Sequence, residues 1–279
     1  MPRIRLVALD LDGTLLNSEK LISPRNLAAL AALEERGILM VPITGRPFQG
    51  LPPCVLDLPR LRYTVTSNGA TIRDLARNTI LLERHLSAQA ALAVLDACRD
   101  FPMIREVFRA GVGYLSQGDL DALCQRYQAD PAMRRYVLDS RKVLPGTVED
   151  FLLADGEAVE ELFFLTDSVA EKQRLYQRLA PLPGIAFADP FPRDLEVIAQ
   201  GIDKGESLRY LLELLGLSPQ EVLAMGDRAS DISMLQLAGI GVAPANADPE
   251  VKDAANHITV SCDQDAVALA LERFVLNDP

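Results

Sequence analysis

Residues 4–14 read Ile4-Arg5-Leu6-Val7-Ala8-Leu9-Asp10-Leu11-Asp12-Gly13-Thr14. A short apolar run ends on two carboxylates, two residues apart, followed by a glycine and a hydroxyl. Such a run predicts a buried strand, with Asp10 opening the loop beyond its carboxyl end. A helix signal follows: Ser23 at the N-cap, Pro24 at the first helical position, Leu27, Leu30 and Leu33 at helical spacing, and Gly37 as the stop. The next apolar run, Ile38 to Ile43, ends at Thr44-Gly45-Arg46. Strand, helix and strand in this order form a βαβ unit, which predicts a parallel sheet. Tyr63 to Ser67 reads as a third strand, closed by the turn pair Asn68-Gly69.

The C-terminal third alternates in the same way. Helices are expected over Gly205–Leu215 (stopped by Gly216), Ser230–Leu237, from Asp248-Pro249 onward, and from a cap at Asp263 through Phe274. Strands are expected over Val222–Met225, Ile240–Ala243 and His257–Val260. Between Arg84 and Asp189 the texture changes. Helical stretches (Ser87–Arg99, Asp119–Gln128, Val169–Leu179) mix with strand runs (Val107–Leu115, Glu161–Thr166, Ile185–Ala188) and with proline-rich loops such as Pro181-Leu182-Pro183-Gly184. The expected fold is therefore α/β: a discontinuous parallel-sheet core, residues 1–83 and 190–279, with an inserted α+β domain at 84–189.

Composition bounds the function. The 279 residues carry 28 Lys+Arg against 39 Asp+Glu, a net charge of −11. That balance argues against nucleic acid, which is bound through clustered Lys and Arg, and against an anionic membrane surface. No apolar stretch approaches the roughly 18 residues of a membrane span. Arg3, Arg5, Asp10 and Asp12 interrupt the start, where a signal peptide needs an unbroken apolar run. Cys54, Cys98, Cys124 and Cys262 are widely spaced, and His85 and His257 are the only histidines. Zinc is therefore not expected, and reduced thiols in a cytoplasmic protein are.

Four sites carry candidate chemistry, three of them just after expected strands, where ligands gather in parallel α/β sheets. Asp10 and Asp12 suit a hard, oxygen-binding cation such as Mg2+, or a nucleophile and a proton donor; an ordinary Asp-rich turn is the competing reading. Thr44-Gly45-Arg46 offers a hydroxyl and a backbone N–H to phosphate oxygens, and equally reads as a polar strand-to-helix turn. Lys204, before a helix, can clamp an anion or lie in solvent. Gly226-Asp227-Arg228-Ala229-Ser230-Asp231 places two carboxylates four residues apart, as a helix cap and first-turn acid or as the rest of a cation site. Together they point to phosphoryl transfer, with Asp10, Asp12 and Asp227 around one Mg2+ and Thr44, Gly45 and Lys204 around the phosphoryl oxygens.

These stretches, D-L-D-G-T at 10–14, T-G-R at 44–46, Lys204 and G-D-x-x-x-D at 226–231, resemble the four motifs of the haloacid dehalogenase-like hydrolases. The long insert between the second and third motifs, Asn68-Gly69-Ala70 and Asn246-Ala247 resemble the Cof-type branch of sugar phosphatases. The resemblance implies a Rossmann-like core with a mobile cap, and a phosphatase acting on a small phosphorylated metabolite. By the same resemblance, Asp10 is the nucleophile that becomes an aspartyl phosphate. Asp12 protonates the leaving oxygen and then activates water. Mg2+ sits on the Asp10 carboxylate, the Asp12 backbone carbonyl and the Asp227 carboxylate, with Asp231 steadying its waters. The Leu11 backbone N–H, Thr44, Gly45 and Lys204 bind phosphate, and Ser230 and Asn246 join them.

Two departures stand out. Ser230 occupies a position where the family usually has Asn, and Ala243-Pro244-Ala245 replaces a more open Met-Gly before Asn246. A phosphomutase of the phosphomannomutase type and a non-catalytic phosphometabolite-binding module are the alternative functions. Arg105, Arg109 and Arg193 in the insert read equally as specificity residues and as solvated surface. Neither the substrate nor the oligomeric state is legible.

Overall fold

The computed structural model describes residues 3–188 and 192–277. The chain forms two compact units: Met1–Gly45 with Pro52–Leu82 and Asp203–Pro279, and Arg46–Leu51 with Glu83–Ile202.

The first unit is built on a five-stranded, all-parallel sheet. Its order is His257–Ile258, Ile240–Ala243, Val222–Met225, Leu6–Leu9, Leu39–Pro42. The two central strands are buried along their whole length, which is why both read as unbroken apolar runs rather than alternating ones. The expected α/β class is therefore present. A smaller sheet takes Tyr63–Thr66, Thr71–Asp74 and Thr79–Glu83 in that order. Leu6, Val41, Val65, Leu208, Leu211 and Met234 belong to one core that ties strands to helices.

Helix signals hold where caps were explicit. Ser23 accepts the Asn26 N–H and starts helix Pro24–Glu35. Gly216, at φ 63°, ends helix Lys204–Leu215. The C-terminal expectations shift. Ser230 lies in a short 3-10 turn, Ala229–Asp231, and the helix proper is Ile232–Leu237. Asp263 caps no helix: its carboxylate accepts the Ser18 N–H at 2.8 Å, while Ser261 caps a one-turn segment before helix Ala266–Leu271.

The second unit carries a six-stranded sheet of order Ile185–Ala188, Asp194–Ala199, Glu161–Thr166, Met103–Arg109, Val112–Ser116, Arg141–Leu144. All neighbours are antiparallel except the last pair, which is parallel. Three differences from expectation have local causes. The run Val107–Leu115 is two strands, because Ala110 and Gly111 at φ 53° and 78° turn the chain into a hairpin. Strand Asp194–Ala199 pairs on both sides within this sheet, so the second unit continues to Ile202 rather than closing at 189. Segment Arg46–Leu51 also joins it: the Gln49 N–H donates to the Gly111 carbonyl at 2.8 Å, and the Arg46 guanidinium lies over the Tyr136 ring at 4.2 Å.

Among the described residues no helix is long and apolar enough to cross a membrane. All four cysteines are free thiols.

Candidate active site

Strand register assembles the site at the carboxyl edge of the parallel sheet. Leu9 is level with Pro42 on one side and Met225 on the other. The Asp10 N–H donates to the Met225 carbonyl at 2.9 Å, and the Ile43 N–H to the Leu9 carbonyl at 2.8 Å. Asp10, Thr44 and Asp227 therefore leave three adjacent strands at the same end, where side chains can converge on one ligand.

Lys204 joins them from the first residue of helix Lys204–Leu215. The Asp203 carboxylate caps that helix, accepting the Glu206 N–H at 2.8 Å and the Ser233 hydroxyl at 2.9 Å. A glycine is required next: a Cβ on Gly205 would lie 2.7 Å from the Ser233 carbonyl carbon. With its position so fixed, the buried Lys204 ammonium donates to Asp10 Oδ1 at 2.8 Å and Asp231 Oδ1 at 2.5 Å. Asp231 Oδ2 accepts the backbone N–H groups of Asp227 (3.0 Å) and Arg228 (2.9 Å), so it also fixes the loop that carries Asp227.

Asp227 Oδ1 accepts from the Thr14 hydroxyl at 3.3 Å. Its Oδ2 is buried, accepts no hydrogen bond, and has Arg228 Nε at an ion-pair distance of 3.2 Å. Gly13, at φ 84°, lets the first loop come this close, since a Cβ there would stand 2.4 Å from Asp227 Oδ2.

Charge in the cluster is only partly balanced. Burial pushes Asp10 well above the usual carboxylate range; the Lys204 charge opposes this, and the charges of Asp231 and Asp227 add to it. Burial, and then the Asp231 charge, raise Asp227 to about 7. Burial works against the Lys204 ammonium, but Asp10 and Asp231 outweigh it and hold its pKa above the usual lysine value. Three buried carboxylates face the Lys204 ammonium and, at the edge, the Arg228 guanidinium, and the carboxylate charge still in excess favours an additional cation. Asp10, Asp227 and Asp231 offer oxygens all within 4.8 Å of one another. An all-oxygen donor set of this kind, with Asp227 Oδ2 unsatisfied, fits a hard divalent cation. Asp231 is the least available of the three, because its two oxygens are already engaged by Lys204 and by two backbone N–H groups.

The other expected residues are distributed less evenly. The Asp12 side chain is outside this cluster and meets Lys20, whose Nζ donates to its Oδ1 at 2.7 Å. Leu11 is fully buried, its carbonyl accepting the Thr14 and Leu16 N–H groups. Thr44 is buried, its N–H on the Val65 carbonyl (3.0 Å) and its carbonyl on the Asn68 N–H (3.1 Å), which fixes the turn into Gly45. Ser230 is half-buried. Asn246 is exposed and bridges backbone: its Nδ2 donates to the Gly13 carbonyl and its Oδ1 accepts the Cys262 N–H, each at 2.8 Å. Its observed role is thus to tie the Gly13 loop to the turn at Cys262. In the second unit, Arg105 donates to the Cys98 and Phe101 carbonyls, Arg109 pairs with Asp155 and covers the Phe151 ring, and Arg193 donates to the Asp167 carbonyl.

Sequence reading missed Lys20 and the Arg228–Asp248 pair, in which Nη1 lies 3.0 and 3.1 Å from the two carboxylate oxygens. The signal that could have found the turn, Asn17 ahead of Ser18-Glu19-Lys20 as an Asx-turn former, went unread, and it does not show what the lysine reaches.

This fold is that of a known hydrolase class. The family model of the haloacid dehalogenase-like hydrolases matches residues 7–271, and the chain belongs to that family. It is 29% identical over 273 residues to the 5-amino-6-(5-phospho-D-ribitylamino)uracil phosphatase YcsE of Bacillus subtilis, covering 98% of this chain and 96% of the relative. It is 31% identical over 276 residues to the HMP-PP phosphatase of Cronobacter sakazakii, covering 97% and 96%. A haloacid dehalogenase-like hydrolase from Bacteroides thetaiotaomicron superposes with TM-score 0.82 at 31% identity, covering 97% of this chain and 99% of that one. The expected family and enzyme class, a phosphatase of the haloacid dehalogenase-like type, are both borne out.

Proposed function

We propose that the chain is a Mg2+-dependent phosphatase that releases phosphate from a small phosphorylated metabolite through a phosphoryl group carried on Asp10. The observation that carries this reading is the buried contact between Lys204 and Asp10 beside Asp227 and Asp231, on the carboxyl edge of the sheet. A carboxylate held by an ammonium in a desolvated site is a fixed nucleophile with charge compensation built in.

Asp10 and Asp227, with the Asp12 backbone carbonyl, would hold the cation, and Asp231 would orient the surroundings through Lys204 and the Asp227 loop. The bound cation would neutralise charge on the phosphoryl oxygens. In the first half of the reaction an Asp10 oxygen bonds to phosphorus while the bond to the leaving oxygen breaks. Asp12 gives that oxygen its proton. In the second half a water oxygen bonds to phosphorus, Asp10 is released, and Asp12 takes the water's proton. The Thr44 hydroxyl, the Gly45 and Leu11 N–H groups and Lys204 would position the phosphoryl oxygens, and Ser230 would contribute its hydroxyl at their margin. The second unit would act as the cap that selects the organic part of the substrate.

One relative's name, a phosphatase of 5-amino-6-(5-phospho-D-ribitylamino)uracil, points to phosphates joined to a sugar alcohol and a heteroaromatic ring, which sets the panel to try first. Purified protein is expected to release inorganic phosphate from p-nitrophenyl phosphate with Mg2+ and to lose that activity on chelation or in Asp10→Asn. Undiminished activity in Asp10→Asn would overturn the reading. Isomerisation without phosphate release would mark a mutase instead.

A further inference from the structure

Asp12 is set apart from the other carboxylates of the site by a cation of its own. Lys20 Nζ donates to Asp12 Oδ1 at 2.7 Å, and the two side chains are 23% and 25% exposed. The turn that delivers Lys20 is costly and heavily braced. Lys20 has φ 61°, a left-handed conformation that a glycine would adopt more cheaply. It is kept there by the Asn17 carbonyl, which accepts the Lys20 N–H at 2.9 Å. The Asn17 side-chain oxygen accepts the N–H groups of Glu19 (3.1 Å) and Leu21 (2.9 Å) on either side. Asp263 Oδ1 anchors the turn from another element by accepting the Ser18 N–H at 2.8 Å. A part-exposed ion pair contributes little to stability. Stability alone therefore does not account for a lysine at a strained position, whereas the place where its ammonium lands does.

We propose that Lys20 is a positioning residue for Asp12, a proposal that rests on the reading of Asp12 as proton donor. When the bond from phosphorus to the leaving oxygen breaks, the electron pair stays on that oxygen. The Asp12 proton moves to it, and Asp12 is left as a carboxylate. The charge that appears on Asp12 during this step forms beside the Lys20 ammonium, so the contact strengthens as the reaction proceeds. The grip on Oδ1 also restricts rotation of the carboxyl group. Lys20 is thus needed most when the leaving oxygen needs a proton most.

The test compares substrates that differ in this need, with Mg2+ present. An alkyl phosphate, such as glycerol phosphate or a hexose phosphate the enzyme accepts, expels a strongly basic alkoxide; p-nitrophenyl phosphate expels a stable phenolate. Lys20→Met is expected to lose about 10-fold in kcat on the alkyl phosphate, a fraction of what a general acid supplies, and much less on the aryl one. Lys20→Arg should restore most of the difference. Lys20→Gly removes the ammonium and relieves the turn, so it should melt no lower than wild type and still show the same substrate-dependent loss. Equal losses on both substrates, or none, overturn the proposal. Asp12→Asn serves as the reference: if it loses no more on the alkyl than on the aryl phosphate, the proton-donor reading itself fails and takes this proposal with it.

Discussion

Lys204 Nζ and Asp231 Oδ1 lie 2.5 Å apart, both buried, and the other oxygen of the same carboxylate holds the backbone of Asp227 and Arg228. One side chain thus sets the position of the ammonium that faces Asp10 and of the loop that carries Asp227.

Asp231→Ala is therefore expected to act on both stability and catalysis. It leaves the Lys204 ammonium with Asp10 as its remaining partner and strips the Asp227 and Arg228 N–H groups of their acceptor, and a buried donor left unpaired typically costs about 1–3 kcal/mol. Urea unfolding of the variant should show that loss, and phosphate release should fall by at least about 10²-fold, the scale on which a misplaced electrostatic group is felt. A variant of wild-type stability and rate would contradict the dual role.

The titration of the cluster predicts how the metal-free protein responds to pH. Burial, followed by the Asp231 charge, raises Asp227 from the ordinary 3.8 to about 7, and Asp10 moves in the same direction. Between these values the folded state holds more protons than the unfolded chain, so folding stability falls as pH rises from about 4 to about 7. A divalent cation held by the deprotonated carboxylates would oppose that loss. Thermal melts in chelator should show Tm falling through this window, and Mg2+ should raise Tm more at pH 8 than at pH 5. A cation effect independent of pH would contradict the assignment of these carboxylates.

Gly13→Ala tests the close approach of the first loop to Asp227. The added carbon would stand 2.4 Å from Asp227 Oδ2 at a backbone φ of 84°. Strain at such a φ costs more than about 1 kcal/mol, and the collision displaces the carboxylate expected to hold the cation. Calorimetric titration should show weakened Mg2+ binding; an unchanged affinity would mean that Asp227 is not a ligand.

In the second unit, Arg141 donates to Glu106 Oε2 at 2.7 Å, and both side chains are buried. Removing the partner in Glu106→Ala strands a buried guanidinium and should cost about 3–5 kcal/mol in unfolding experiments. A loss below about 1 kcal/mol, the scale of a surface pair, would show that Arg141 finds other compensation.

How much of this was legible in the sequence depended on distance along the chain. Strands Val222–Met225 and Ile240–Ala243 have the bounds expected for apolar runs closed by turn residues. Asp10, Thr44 and Asp227 were visible as the polar residues just past such runs. Hairpin Ala110-Gly111 was hidden because the apolar character continues through the turn, and strand Asp194–Ala199 because Asp194 and Glu196 are buried charges in a sheet. The Thr147/Asp150 capping box of helix Val148–Asp155 was present in the sequence but unread. The double contact of Lys204 and the pair Lys20–Asp12 depend on where turns aim long side chains, which residue spacing does not encode.

The central claim is that Asp10 carries the phosphoryl group. Acid quench during turnover of a phosphate ester with Mg2+, followed by mass spectrometry of the peptide containing Asp10, tests it directly. The account predicts one added phosphoryl group on Asp10, none in Asp10→Asn, and, with p-nitrophenyl phosphate, whose leaving group needs no proton from Asp12, more of it in Asp12→Asn, where the attacking water lacks its base. Sustained phosphate release with no phosphoryl group on Asp10 in either the wild-type enzyme or Asp12→Asn, and with Asp10→Asn still active, would contradict it.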